Sequence, residues 1–440
     1  MGCHLKNVNI LCSNSGLQSG MDIEISNGRI SQIGISGSLT IGSDTTLIEG
    51  EGALCLPGLI NGHNHSPLMV VRGMVEDLGF APAYTPGVPQ GHWLSEEETL
   101  ALSRLGVMEM LCAGATTIVD YYRKPDALAR ATEELGLRGM IGGRVMDADA
   151  AHLAQGRFVH DPKLGDETMR DSLDLIDRWD GKADGRISII HAPHAPDTCS
   201  RSLLTEIAKL AERDKRQVHT HLAQSQMEID QVKYREGISP TELLEDIGLL
   251  NDNLVAAHCI FLSADEIARV GRNRVVVAHA PIGNASFGAA APIISLVNAG
   301  AQIILCTDTK SADLFEAMRM AIASARWRAG MEFVLDAKTV FSWATNDAAS
   351  ALRGHPATGT IEIGAPADLI VMDALAPNLR PVIDGFGIVV HSGSAANVRM
   401  VICDGEILVR DGRPTRVDPA EVIRTAQTVV DGLWKRARAD

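Results

Sequence analysis

The stretch LPGLINGHNH, residues 56–65, decides the fold, because its apolar run ends in two histidines at alternate positions. Alternate residues of an extended strand point to the same side, so the side chains of His63 and His65 can converge on one point. Neutral imidazole is the commonest protein ligand for zinc and related ions. Two imidazoles make only half of such a site, and the pair alone does not distinguish metal ligands from a structural pair. Further ligands must come from other strands.

The composition is that of a compact protein with a large core. The chain has 440 residues, of which 45% are hydrophobic and 22% charged, and its net charge is −15. This length fits one α/β barrel plus a smaller domain. The negative charge repels phosphate backbones and anionic membrane surfaces. We therefore expect a small-molecule substrate, with neither nucleic acid nor a membrane as a partner.

The cysteines and the N-terminus indicate where the protein works. Its eight cysteines lie without CxxC spacing, so we expect buried free thiols. The N-terminus lacks the pattern of a signal peptide, and no apolar stretch approaches the roughly 18 residues that a membrane span needs. These features predict a cytoplasmic protein.

From residue 57 onward, short apolar runs alternate with helical segments, which is the pattern of parallel strands covered by helices. Eight runs predict a closed (β/α)8 TIM-type barrel, an α/β fold, with strands over residues 56–65, 116–122, 137–145, 187–194, 217–223, 254–262, 274–281 and 302–308. The clearest helical periods between the strands lie over residues 96–112, 203–213, 240–247, 290–299 and 314–328. Residues 77–92 contain three prolines and predict a long loop after the first strand.

Short strands with hairpin signals lie at both ends of the chain. They are predicted over residues 8–12, 21–26, 29–35 and 46–48, and again over residues 360–363, 368–372, 398–403 and 406–409, before a final helix over residues 418–438. We expect residues 1–56 and 359–440 to form one small β-sandwich domain beside a barrel of residues 57–358.

Five of the eight predicted barrel strands end in histidine or aspartate. His63 and His65 end the first strand, His194 the fourth, His219 and His221 the fifth, His258 the sixth and Asp308 the eighth. The C-terminal ends of parallel barrel strands surround one mouth, so these groups should share a pocket. Packing alone does not explain such a convergence, because buried charged groups are rarely left unpaired.

Three imidazoles and one carboxylate suit a single divalent ion with a coordinated water. We assign His63, His65, His221 and Asp308 as its ligands. The ion lowers the pKa of such a water from 15.7 towards about 7, Asp308 accepts the proton, and His258 holds the water or stabilises the oxyanion. No lysine ends the fourth strand to bridge a second ion. We expect one ion, Zn²⁺ first, with Fe²⁺, Mn²⁺ or Co²⁺ as alternatives.

Several motifs accompany these strand ends. They are His191-Ala-Pro-His194-Ala-Pro, His219-Thr-His221-Leu-Ala, Ala257-His258-Cys, Ala278-His279-Ala-Pro, Thr307-Asp308 and the later segment GTIEIGAPADLI. Together with residues 56–65 they resemble the amidohydrolase superfamily, in its branch of S-adenosylhomocysteine/methylthioadenosine deaminases, guanine deaminases and triazine chlorohydrolases. The resemblance covers nearly the whole chain. It implies the metal set assigned above, a catalytic His258, a substrate-binding His194 and a homodimer or homotetramer.

Three departures from this family pattern fall around the expected pocket. Where the deaminases usually have glutamate after His-Leu-Ala, this chain has Gln224, whose amide cannot shuttle a proton to a ring nitrogen. Gln224 can still hydrogen-bond the substrate, and we assign it as a substrate-binding residue. Glu228, one helical turn later, is either a replacement acid or a solvated helix residue. Asp197 replaces a tyrosine, and residues 309–313 replace a Ser-Asn-Asn loop.

The other histidines are given structural interpretations. We expect His219 and His279 to support neighbouring groups rather than to bind the ion. His92 and Trp93 either line the pocket after the long loop or form an exposed loop pair.

The leading functional hypothesis is a mononuclear metal-dependent hydrolase that removes an amino group from a nitrogen heterocycle. The alternative keeps the metal chemistry but cleaves an amide, urea or carbamate C–N bond, or dechlorinates a ring. Gln224 favours this alternative, because such leaving groups need less ring protonation. A third hypothesis is a metal-binding barrel without catalysis.

Overall fold

The computed structural model describes residues 2–42, 45–74, 77, 85, 87–89, 93–153, 155–309, 311–330, 333–354 and 358–438. Within these residues the strands are β1 (Gly2–Cys12), β2 (Gly16–Ser26), β3 (Arg29–Ile35), β4 (Thr45–Glu49), β5 (Leu54–Pro57), β6 (Leu59–Asn64), β7 (Ala115–Tyr122), β8 (Arg138–Val145), β9 (Ile187–Pro193), β10 (Val218–Leu222), β11 (Leu254–His258), β12 (Val276–His279), β13 (Gln302–Leu305), β14 (Leu369–Met372), β15 (Val398–Cys403), β16 (Glu406–Arg410) and β17 (Arg413–Pro414).

Strands β6 to β13 form the predicted barrel. They pair in parallel in chain order, and all eight predicted strands are confirmed. The ends of the sheet meet where the backbone N–H of Asp308 donates to the carbonyl of His63 at 3.1 Å. Next to this contact, the side chain of Asn61 donates to Thr307 Oγ1 at 2.7 Å and accepts from the Thr307 N–H at 3.1 Å. Closure therefore brings the first and last strand ends, and their candidate ligands, together.

Helices cover the barrel. The α-helices are Glu96–Cys112, Pro125–Leu135, Ala150–Leu153, Pro162–Trp179, Lys182–Gly185, Arg201–Asp214, Gln226–Glu236, Pro240–Asp246, Ala264–Arg272, Pro281–Ser286, Ile293–Ala299, Leu314–Arg328, Ala337–Trp343, Asn346–Ala351, Gly385–Ser392 and Pro419–Ala437, and short 3₁₀ helices occupy Ser66–Val71, Pro377–Leu379 and Ala395–Asn397. Capping boxes at Ser95, Ser239 and Ser263 fix three of the starts. The helices bury a continuous apolar layer against the strands.

Strands from both chain ends form a second, separate mixed sheet in the order β17-β16-β15-β14-β5-β1-β2-β3, with β4 paired to β1. The predicted strand over residues 360–363 is wrong. The contacts with β3 lie just after this range, where Arg29 and Ile30 pair with residues 364–366. These contacts do not extend into a strand, because Gly364 is left-handed at φ 90° and Pro366 has no N–H to donate. The final helix is confirmed, and the Asp418 side chain caps it by accepting the Ala420 N–H.

The thiol prediction also holds, since all eight cysteines are free and seven of them are buried. Among the helices of the described residues, none combines the length and the apolar character that a membrane crossing requires.

Candidate active site

The barrel brings the predicted strand-end residues to one mouth. His63 lies near the end of β6, His65 directly follows that strand, His221 lies in β10, His258 ends β11, and Asp308 follows β13. All five side chains are buried. One ligand atom from each of His63, His65 and His221 lies within 4.8 Å of the others. This geometry agrees with the sequence prediction that strands far apart in the chain place donor atoms close to one point.

The tautomers of two histidines are set by backbone carbonyls. Nδ1 of His65 lies 2.8 Å from the carbonyl oxygen of Tyr121, and Nδ1 of His221 lies 2.5 Å from that of His194. A carbonyl oxygen only accepts, so each Nδ1 carries the hydrogen and each Nε2 keeps its lone pair. The two Nε2 atoms face each other at 3.1 Å. Two lone pairs at this distance repel unless a cation lies against both.

A proton is a poor candidate for that cation. Burial, reinforced by the neighbouring imidazoles, lowers the pKa of His63 and His221, and burial together with the charge of Arg144 lowers that of His65. Nε2 of His63 is also buried without a hydrogen-bond partner among the described residues. Three neutral imidazoles with free lone pairs are the donor set that zinc-like ions prefer. The residues present therefore fit a divalent metal ion.

Asp308 is held beside these imidazoles in a strained conformation. Its Oδ1 lies 3.8 Å from Nε2 of His63, and its backbone adopts a left-handed φ of 57°. Non-glycine residues in this region cost free energy and are often found at functional sites. Gly283 packs against the carboxylate, since a Cβ there would lie 3.3 Å from Oδ2 of Asp308.

His258 is fixed by three restraints. Its backbone φ is 74°, its ring stacks on that of His221 at 5.4 Å and 14°, and its Nδ1 lies 3.0 Å from Oδ1 of Asn284. Nε2 is buried and has no hydrogen-bond partner within the described part of the chain. The arrangement leaves one ring nitrogen of His258 for chemistry.

The two predicted substrate-binding residues lie at the same end of the barrel. His194 follows β9, its ring lies 4.9 Å from that of His221, and its Nδ1 bonds Oγ1 of Thr198 at 2.7 Å. Gln224 lies in the turn after β10 and is half-buried. Contact of either with a substrate stays a prediction.

Glu228 is not a solvated helix residue, so that interpretation is wrong. Its side chain is 2% exposed, and its two oxygens accept the backbone N–H groups of Ala223 and Gln224, each at 2.8 Å. Ala223 has a left-handed φ of 50°. Burial, followed by the nearby Asp197, raises the pKa of Glu228 to about 8. Glu228 thus braces the strained turn between His221 and Gln224.

Sequence analysis missed Arg144 at the end of β8. Its buried guanidinium lies 4.1 Å from the ring centre of Tyr122. After burial, its positive charge is the largest influence that lowers the pKa of His65 and His194. Its place at the end of a predicted barrel strand was the available signal.

His219 and His279 are buried but do not belong to the group of candidate ligands His63, His65 and His221. Burial lowers the pKa of His219 and His279 to about 3, and neither ring has a hydrogen-bond partner among the residues described. They are neutral and do not have the supporting hydrogen bonds that we expected. His92 lies outside the described residues, and Trp93 is 52% exposed.

Comparisons with known proteins agree with this geometry. The 5'-deoxyadenosine deaminase of Methanosarcina acetivorans is 31% identical over 423 residues, which cover 95% of this chain and 94% of that protein. The 5-methylthioadenosine/S-adenosylhomocysteine deaminase of Carboxydothermus hydrogenoformans is 31% identical over 424 residues, 95% of each chain.

Solved structures share the fold. An adenosine deaminase from Xanthomonas campestris with bound zinc superposes with a TM-score of 0.87 at 24% identity, covering 98% of each chain. Atrazine chlorohydrolase from Arthrobacter aurescens, complexed with zinc, gives a TM-score of 0.83 at 22% identity and covers 97% of this chain and 100% of its own. The model of the amidohydrolase family matches residues 54–408. With this match across the whole barrel, the chain belongs to the amidohydrolase family.

Proposed function

We propose that the protein is a mononuclear metal-dependent aminohydrolase that removes the amino group of an adenine-type nucleoside. The observation that carries the proposal is the convergence of buried imidazole lone pairs, with His65 Nε2 and His221 Nε2 only 3.1 Å apart. The deaminases of 5'-deoxyadenosine and of 5-methylthioadenosine/S-adenosylhomocysteine, each 31% identical over 95% of this chain, support the choice of substrate class.

We assign His63, His65, His221 and Asp308 as the residues that hold the ion. Zinc is the first choice, because the donor set is rich in imidazole and solved structures of this fold contain zinc. When bound, such an ion polarises water and lowers its pKa to about 7. The protein's own residues then have to orient that water, move its proton and hold the heterocycle.

The reaction replaces the C–NH₂ group by C=O as water adds and ammonia leaves. Asp308 accepts one proton from the water and passes it to the departing amine, which leaves as ammonia. The second proton of the water moves from the added hydroxyl to the adjacent ring nitrogen as the C=O bond forms, so that the protons balance. His258 faces the water with its free Nε2, which has no other partner in the described chain. His194 and Gln224 bind the ring, and the Gln224 amide can donate a hydrogen bond to a ring nitrogen.

A second candidate is hydrolysis of an amide, urea or carbamate, or dechlorination of a heterocycle. The observation that favours it is Gln224, an amide where the family's deaminases usually have an acid. Glu228 does not directly replace the acid that is missing at position 224, because both its oxygens accept hydrogen bonds from the backbone of residues 223 and 224.

The test is turnover of the zinc-loaded protein with 5'-deoxyadenosine, 5'-methylthioadenosine, S-adenosylhomocysteine and adenosine. Turnover is measured as the release of ammonia and as the change in ultraviolet absorbance when adenine becomes hypoxanthine. Atrazine, ureas and amides serve as the comparison set, with chloride and ammonia measured. We expect turnover in the first set. Turnover confined to the second set would replace the proposal with the second candidate, and turnover of neither would favour a binding protein.

We also propose a homodimer or homotetramer that works in the cytoplasm. The eight free cysteines support a reducing compartment, and the resemblance to the family supports the oligomer. Light scattering after size-exclusion chromatography tests the assembly, since a single monomer mass would contradict it.

A further inference from the structure

We propose that Asn284 is a positioning residue that fixes the tautomer and orientation of His258, so that Nε2 faces the reaction with its lone pair. The inference rests on the proposed function for its kinetic test, but its geometry stands on its own. Oδ1 of Asn284 lies 3.0 Å from Nδ1 of His258. An amide oxygen only accepts, so the ring hydrogen lies on Nδ1.

The imidazole of His258 has few other restraints on its rotation. Stacking on His221 at 5.4 Å and 14° defines the plane of the ring. Stacking does not decide which ring edge points towards the candidate metal ligands, because a half-turn of the ring keeps the plane and exchanges its edges. The Asn284 oxygen removes this ambiguity, because only one orientation places Nδ1–H against it. Asn284 therefore selects the edge that His258 presents.

Stability alone does not explain an asparagine at this position. Asn284 is 1% exposed, and its Nδ2 is buried without a hydrogen-bond partner among the described residues. A buried donor without a partner destabilises the folded state, a cost that an aliphatic residue of similar size would avoid. The asparagine instead supplies an acceptor, its Oδ1, for the Nδ1–H of His258.

The segment that carries Asn284 contacts both Asp308, to which we assign proton transfer, and His258, which we place against the water. The preceding residue, Gly283, lies so close to Asp308 that a Cβ there would be 3.3 Å from its Oδ2. Both residues belong to the short helix Pro281–Ser286 that follows β12. One turn of backbone thus sets the relative position of Asp308 and His258.

The test compares N284L, which removes the acceptor at similar volume, with N284D, which keeps it. For N284L we expect kcat to fall by about 10–100-fold, as for other residues that orient an imidazole at a metal site, with zinc content and KM near wild type. For N284D we expect kcat within about threefold of wild type, since a carboxylate oxygen accepts the same N–H. Equal losses in both variants would overturn the proposal.

The control is N253L, which removes a part-buried asparagine at the opposite end of β11, where its Nδ2 donates to the Arg216 carbonyl. We expect N253L to lower stability without the fall in kcat. A fall as large as that of N284L would reduce Asn284 to a general structural residue.

A crystal structure of the zinc-loaded wild type separates this inference from the proposed function and does not depend on the folding of a variant. We expect Nδ1 of His258 against Oδ1 of Asn284 and Nε2 towards the ion. A ring bonded elsewhere through Nδ1 would overturn the inference, even in an active enzyme. The expected ring in a protein that deaminates nothing would uphold it and reject only the proposed function.

Discussion

Nε2 of His65 lies 3.1 Å from Nε2 of His221, although both rings carry their hydrogen on Nδ1. This contact is unfavourable in the absence of a cation, so metal removal should destabilise the folded state. We expect the chelated protein to melt at a lower temperature and zinc to reverse the change, since a ligand at 100 times its Kd stabilises by about 2.7 kcal/mol. Scanning calorimetry with and without chelator measures this. Identical transitions would contradict a metal at these atoms.

Replacing Asp308 by asparagine should keep the shape of the site and remove its proton acceptor. General bases contribute about 10²–10⁴-fold to turnover, so we expect D308N to lose at least the lower figure. Its zinc content should also fall, because an amide is a weaker ligand than a carboxylate. Metal analysis beside steady-state kinetics measures both. A fully active D308N would remove this residue from the mechanism.

Gln224 decides between the two candidate reactions. In the Q224E variant a titratable group faces the ring, so a deaminase limited by ring protonation should gain about tenfold or more in kcat. The control is Q226E, which adds the same charge on the exposed start of the following helix. An unchanged or lower rate in Q224E would favour the amide, urea or dechlorination chemistry.

The strands and the histidines at their ends could be predicted from sequence because both depend on local patterns. Buried parallel strands are continuous apolar runs, and β12 (Val276–His279) lies inside the predicted span of residues 274–281. The His63 and His65 pair follows such a run directly. Their position directly after this strand therefore predicted that both histidines lie at the mouth of the barrel.

The orientation of each ring could not be predicted, because it depends on groups from other strands. The ring of His65 is oriented by the carbonyl of a residue 56 positions away, and the ring of His258 is oriented by the side-chain amide of a residue 26 positions away. The burial of Glu228 could not be predicted for a similar reason. Its place in the first turn of a helix is typical of a solvated residue, but the turn at Ala223 folds back over its carboxylate.

A buried ion pair links the barrel to the second sheet. Arg138 at the start of β8 donates to both oxygens of Asp368, at 2.8 and 3.2 Å, and neither side chain is more than 3% exposed. Leaving a buried charge unpaired costs about 3–5 kcal/mol, but Asp404 lies 2.8 Å from the same guanidinium and stays as a second partner. We therefore expect D368N to lose less than this amount and still to unfold at a lower urea concentration. The control D411N breaks the exposed pair with Arg399 and should change stability by less than about 1 kcal/mol. Equal midpoints for the two variants would contradict the role of the link.

Glu228 is the group from which we expect a pH dependence of stability. Burial raises its pKa from the ordinary 4.5 to about 8. Between these values the folded protein keeps a proton that the unfolded chain has released, so the free energy of unfolding falls as the pH rises through this window. The E228Q variant has no titrating group at this position. Urea unfolding at about pH 5 and pH 8 should therefore show a larger loss of stability for wild type than for E228Q, and parallel profiles would show that Glu228 is already ionised in the folded protein.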